Sequence, residues 1–120
     1  MAQYVDGYVV PVPTEKLAAY RSLARKAAKI WVEYGALQVC ENVADDVKPG
    51  KLTSFPQAVK LKDGETVVFS WIVFKSRKDR DRINTAVMAD PRLAAMMDPK
   101  GMPFDGKRMF WGGFKELVKV

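Results

Sequence analysis

Residues 67–74 read VVFSWIVF, and this run restricts the fold more than any other in the chain. In a strand, side chains alternate, so Val68, Ser70, Ile72 and Phe74 share one face and Val67, Phe69, Trp71 and Val73 the other. Both sets are apolar apart from Ser70, so a strand here has to be covered on both sides. It is also the longest apolar stretch and falls far short of a membrane span, so no membrane association is expected.

The neighbouring segments are read from their periodicity and punctuation. Gln3 to Val12 alternates as a strand, with Tyr4, Asp6, Tyr8 and Val10 on one face and Val5, Gly7 and Val9 on the other. Pro11 and Pro13 are expected to end it, and Thr14 to cap a helix. In that helix Leu17, Tyr20, Ala24, Ala27, Trp31 and Tyr34 recur at steps of three and four, and Gly35 supplies the left-handed end. Ala36 to Val43 reads as a second strand. Phe55 to Leu61 and Glu65 to Phe74, joined through Lys62-Asp63-Gly64, read as a hairpin. Ser76 with Asp79 opens a second helix over Arg77 to Ala89, and Asp90-Pro91 a short third one through Met97. After a loop from Asp98 to Gly106, Lys107 to Leu117 forms the last strand.

This order predicts an α+β fold: a ferredoxin-like βαββαβ arrangement with an extra strand and a short extra helix, built on an antiparallel sheet in a single domain over residues 1–120. Two main helices cover only one face of such a sheet. The other would leave Phe69, Trp71 and Val73, or their alternates, in water, so a second copy is expected to cover it as a two-fold homodimer with the sheets face to face.

Composition narrows the chemistry. At 120 residues, 48% hydrophobic and 28% charged, the chain can bury a core without disulfides or metal. Cys40 is the only cysteine, and MAQYVDGYVV lacks a basic start and long apolar run, so a cytoplasmic location is expected. There is no histidine, which removes the commonest general base and metal ligand. Glu41, Asp45 and Asp46 lack the spacing of a calcium loop, so neither metal nor cofactor is expected. The net charge of +6 is spread along the chain with acids interleaved, which favours a basic soluble surface over a nucleic-acid site.

YVDGYVVPVP at 4–13, YGAL at 34–37, DDV at 45–47, ETVVFSW at 65–71, ADPR at 89–92, and MPFDGKRM with GGF at 102–109 and 112–114 resemble the YbaA-like bacterial proteins. The resemblance spans nearly the whole chain. It implies membership of the dimeric α+β barrel superfamily, whose broader relatives include antibiotic-biosynthesis monooxygenases. The family carries no established reaction, and the haem-degrading members of the superfamily use a histidine that this chain lacks.

By analogy with that fold, a ligand cavity is expected between the sheet and the helices. The residues nominated to line it are Tyr8, Glu41, Ser70, Trp71 and Arg108, with Asp6 and Arg108 the candidates for catalysis. A carboxylate buried in apolar surroundings, as Asp6 would be, is raised in pKa and suited to proton transfer; the structural alternatives are pairing with a cation such as Arg108 or facing water beside Gly7. Arg108 can clamp a carboxylate with two hydrogen bonds. The functional reading is an uncharacterised bacterial protein that binds a small molecule in this cavity, with a cofactor-independent enzyme as one form of it. The alternative is an RNA-binding or non-catalytic dimeric interaction protein.

Overall fold

The computed structural model describes residues 2–120. Its elements are β1 (Tyr4–Pro13), a 3-10 turn (Thr14–Lys16), α1 (Leu17–Glu33), β2 (Gln38–Val43), α2 (Phe55–Ala58), β3 (Glu65–Phe74), α3 (Arg77–Met88), α4 (Pro91–Met96) and β4 (Phe110–Lys115). The sheet is antiparallel with order β2-β3-β1-β4, the ferredoxin-like arrangement, and α1, α3 and α4 pack on one face of it. β1 and β3 pair over their full length, from Tyr4↔Phe74 to Pro13↔Glu65. β2 joins the far side of β3 from Gln38↔Val73 to Val43↔Val68, and β4 the far side of β1 from Tyr4↔Lys115 to Val9↔Phe110.

The expected extra strand over Phe55 to Leu61 is not formed. Ser54 accepts a hydrogen bond from the Gln57 amide at 3.3 Å and Pro56 occupies the first helical turn, so the segment winds into the single turn α2. The pairing partner it would need is also largely taken: β1 lies along the whole of one edge of β3 and β2 along the other from Val68 to Val73, which leaves only Glu65 to Val67 for a hairpin mate. Val59, just beyond α2, instead packs with Val9 and Val67 and covers one end of the outer sheet face. Part of the apolar outer face of β3 is therefore covered from within the chain.

Two further expectations need correction. β1 runs one residue beyond the expected end at Val12, so that Pro13 as well as Pro11 lies within it. These two residues lie beyond the last β4 partner, Val9, so the missing N–H groups fall on an edge that β4 does not reach. Thr14 does not cap α1; its amide donates to the Gly64 carbonyl at 2.8 Å, and a 3-10 turn leads into the helix.

The main core lies between β3, α1, α3 and α4, where Phe74, Ile83 and Val87 are fully buried beside Ile30, Ile72 and Leu93. Ser76 and Asp90 cap α3 and α4 through their side-chain oxygens, as their positions predict. Gly35 ends α1 at φ +118, and a methyl group there would sit 3.3 Å from Ile83 Cδ1. Gly35→Ala is thus expected to lower stability by about 1–3 kcal/mol, seen as a lower urea midpoint at unchanged slope. An unchanged midpoint would contradict the strained turn.

Candidate functional site

The pairing register collects residues from all four strands into cross-strand rows. One row on the helix-facing side runs Glu41, Ser70, Tyr8, Trp111 from β2 to β4. The next runs Val39, Ile72, Asp6, Gly113. Three of the five residues nominated as ligand-binding, Tyr8, Glu41 and Ser70, therefore stand side by side. Trp71 does not join them. Strand alternation puts it in the outer row Cys40, Trp71, Gly7, Gly112, where its indole N–H donates to Gln38 Oε1 at 2.9 Å.

Above the row, α1, α3, α4 and the loop before β4 border a partly open cavity of about 210 Å³. Its roof is apolar: Leu23, Ala27 and Trp31 of α1, Leu93 and Met96 of α4, and Phe104 of the loop. An apolar cavity of about 150 Å³ is enough to hold a benzene molecule, so the space here is of the size of a small ring with a substituent. Tyr8 stacks on Trp111 with ring centroids 5.8 Å apart, and Tyr20 meets Phe104 edge to face at 5.7 Å.

The polar groups at the floor form one short chain. The Tyr20 hydroxyl donates to Glu41 Oε1 at 2.6 Å. Glu41 is exposed as a residue at the sheet edge, yet its carboxyl is crowded by the sheet and α1. That desolvation raises its pKa, against the lowering effect of hydrogen bonds from Tyr20 and Ser70. Burial, followed by the nearby Glu41 charge, pushes the Tyr20 hydroxyl well above its ordinary value. Burial and then Asp6 do the same for Tyr8. Both phenols therefore stay protonated at any physiological pH.

Asp6 is fully buried, as a catalytic carboxylate would be, but both its oxygens are engaged. Arg80 Nε donates to Oδ1 and Asn84 Nδ2 to Oδ2, each at 3.0 Å, and Asn84 accepts from the Trp31 indole at 2.9 Å. The Arg80 guanidinium lies 4.9 Å from the Tyr4 ring centroid and 5.9 Å from that of Trp111. The row partner Gly113 makes room for it, since a Cβ there would run into Arg80 Nη2. The cation anticipated from sequence, Arg108, is elsewhere: it chelates Glu65 at 2.6 and 2.8 Å, donates to Asp105 at 2.8 Å and reaches the Val59 and Lys60 carbonyls. Arg108 fastens the loop before β4 to the start of β3, outside the cavity. Arg80, Asn84 and Tyr20 were not among the residues nominated from the sequence. The signal for Arg80 and Asn84 was their i, i+4 spacing beside the core positions Ile83 and Val87.

Hydrogen bonds from Arg108 are also the main reason that Glu65 and Asp105 titrate below the usual carboxylate range. A depressed folded-state pKa contributes stability above the unfolded value, near pH 4, and this is lost as pH falls through the folded value. Arg108→Ala should therefore lower Tm at pH 7, with the gap to the parent narrowing as pH falls from about 4 to 3. A gap independent of pH over that range would refute the pairing. Glu41 carries the opposite sign, because a raised pKa favours the folded state at low pH and weakens it as pH rises.

The family model described as "Protein of unknown function (DUF1428)" matches residues 3–106. The uncharacterised protein YbaA of Escherichia coli strain K12 is 49% identical over 116 residues, 97% of each chain, as is that of Shigella flexneri. Among solved structures, a dimeric ferredoxin-like protein from an uncultured marine organism superposes with TM-score 0.64 at 10% identity over 100% of both chains. A nipsnap family protein of unknown function from Agrobacterium tumefaciens gives TM-score 0.57 at 12% identity, over 95% of this chain and 87% of its own. At such identities these two show likeness of fold, which is the ferredoxin-like fold expected from the element order. With a family model spanning most of its length and relatives identical at nearly half their positions, the chain belongs to the DUF1428 family of proteins of unknown function.

Proposed function

We propose that this protein binds a small, largely apolar molecule between the helix-facing side of its sheet and helices α1, α3 and α4, and that it works as a homodimer. The observation that carries the first part is the Glu41–Ser70–Tyr8–Trp111 row. It is a polar and aromatic floor under an otherwise apolar cavity, the usual composition of a ligand pocket: apolar walls and a few convergent polar groups. Within it Glu41 accepts a donor from the ligand or takes its proton, and Tyr20 and Ser70 hold the carboxylate in place. This role moves the proton-exchanging position from Asp6, whose oxygens are saturated, to Glu41. A small-molecule screen by thermal shift should return compounds that raise Tm. Ala27→Leu, which fills the roof, should weaken their affinity by about tenfold or more while leaving far-UV circular dichroism unchanged. Hits that bind the filled variant equally well would place the site elsewhere.

The dimer is supported by the opposite face. Phe69 and Phe110 are 42% and 46% exposed there, and Phe114, 65% exposed, lies over Gly7 and Gly112. With Trp71 and Val73 they form a contiguous apolar surface that a second sheet would cover. The dimeric description of the marine ferredoxin-like neighbour agrees with this arrangement. Sedimentation at micromolar concentration should give twice the monomer mass, and Phe110→Lys with Phe114→Lys should return it to the monomer. A monomeric parent protein would overturn the assignment.

A further inference from the structure

The cavity under α1 shares a wall with a second, larger space. A groove of about 1120 Å³ runs between the other flank of α1 and strand β2, one of the two edge strands of the sheet. Tyr20, Ala24, Ala28, Val39 and Glu41 line both spaces. Ala24 and Ala28 are the smallest side chains on that stretch of helix, and Glu41 with its Tyr20 hydrogen bond stands at the boundary. The groove floor is apolar, formed by Val39 and Val43 of β2 and Val68 of β3.

Its rim is cationic in a particular way. Arg21, Arg25 and Lys29 fall at i, i+4 and i+8 on α1, a ridge about 12 Å long. The chain has seven arginines, and Arg77, Arg80, Arg82, Arg92 and Arg108 each lie within ion-pairing distance of a carboxylate. Among the described residues Arg21 and Arg25 are the two with no such partner, and both border this groove. The two carboxylates that line it are committed elsewhere: Glu33 is clamped by Arg92 at 2.6 Å, and Glu41 accepts from Tyr20.

We infer that the ligand of the site is a small amphipathic anion: an apolar or aromatic body that enters past Glu41 into the cavity, joined to a carboxylate, sulfonate or phosphate held at the rim by Arg21, Arg25 and Lys29. The inference rests on the small-molecule reading of the cavity and adds the class of ligand and the direction of entry. The apolar floor leading inward separates this from a site for a polyanion, which needs a cationic track and no enclosed apolar end. Arginine at the rim suits the head group, because its planar fork pairs with carboxylate or phosphate oxygens by two hydrogen bonds. Glu41, just inside, repels a second negative charge and accepts from a hydroxyl or amine, so the negative end is held outward.

Two naphthalene dyes of similar bulk test this on the full chain. Anilinonaphthalene sulfonate carries the anion, and N-phenyl-1-naphthylamine is its neutral counterpart. Both should bind the parent protein and lose affinity in Ala27→Leu. Arg21→Gln with Arg25→Gln, at exposed positions, should weaken the sulfonate about fivefold or more at low salt, with the neutral dye changed less than about twofold. If both dyes bind in an Ala27-sensitive way but the double variant treats them alike, the cavity reading stands and the amphipathic-anion inference falls. If neither dye responds to Ala27→Leu, the cavity reading fails and takes the inference with it. A labelled single-stranded RNA that binds at physiological salt and displaces the sulfonate would also overturn it, in favour of a polyanion on the ridge.

Discussion

The ten-residue pairing of β1 with β3 is the constraint on which everything else in the molecule depends. Side chains alternate with a period of two, so a slip of one residue in this register would turn one of the two central strands over relative to the other. If β1 turned, Asp6 and Tyr8 would face outward and Gly7 and Val9 would lie under the helices; if β3 turned, Ser70 would face outward and Phe69 and Trp71 would lie under the helices. Such a slip is opposed at several points together. Turning β1 would separate Asp6 from Arg80 and Asn84 and take Val9 from Val59, and turning β3 would bury Trp71 where Ser70 now leaves room and take Val67 from Val59. The cavity floor and the apolar outer surface are therefore fixed by a single choice of register.

Asp6 and Arg80 tie α3 to that register. A buried ion pair adds little net stability over a well-packed apolar one, since desolvation offsets the attraction, but leaving one partner alone is costly. Asp6 has no solvent exposure, and Arg80 retains little. Any arrangement in which α3 shifts by one turn would strand the carboxylate, so the pair acts against misplacement of α3 over the sheet. Asn84 extends the same control to α1 through the Trp31 indole. Arg108 does comparable work at the other end, where the loop before β4 is held to β3 through Glu65 and Asp105. The MPFDGKRM segment is thus a fastening for the loop whose Phe104 and Met109 form part of the cavity roof.

What was legible in the sequence follows the range of the interactions concerned. α1, β3 and the caps of α3 and α4 rest on periodicity and on contacts within a few residues, and these were readable. The segment after Ser54 was not, although its turn chemistry was local. Its short apolar alternation outweighed Ser54 and Pro56, and the occupied edges of β3 cannot be seen before strand order is known. Asp6 was correctly marked as unusual, but its partner is 74 residues away on another element, and charge alone offered Arg108 as readily as Arg80. The inclusion of both Ser70 and Trp71 in one site was avoidable, because adjacent strand residues face opposite ways. The row joining Glu41 to Trp111 depends on three separate pairings, none of which the sequence states.

The two surfaces of functional interest lie back to back on the same strands. The outer row Cys40–Trp71–Gly7–Gly112 is one residue out of phase with the inner row Glu41–Ser70–Tyr8–Trp111. Packing against the outer row would stiffen the backbone that carries the inner one, since displacing Trp71 also displaces Ser70, and moving Gly112 moves Trp111. The helix side has no comparable brace near the groove. There α1 meets β2 through small residues, Ala24 and Ala28, and the Tyr20–Glu41 hydrogen bond links the helix to the edge strand. Tyr20 is otherwise held by packing against Val10, Val12 and Val68, so the hydroxyl is presented from a rigid base to a carboxylate on a more exposed strand. The proposed ligand would enter at that edge strand, away from the core, where Arg21 and Arg25 stand without a carboxylate partner among the described residues.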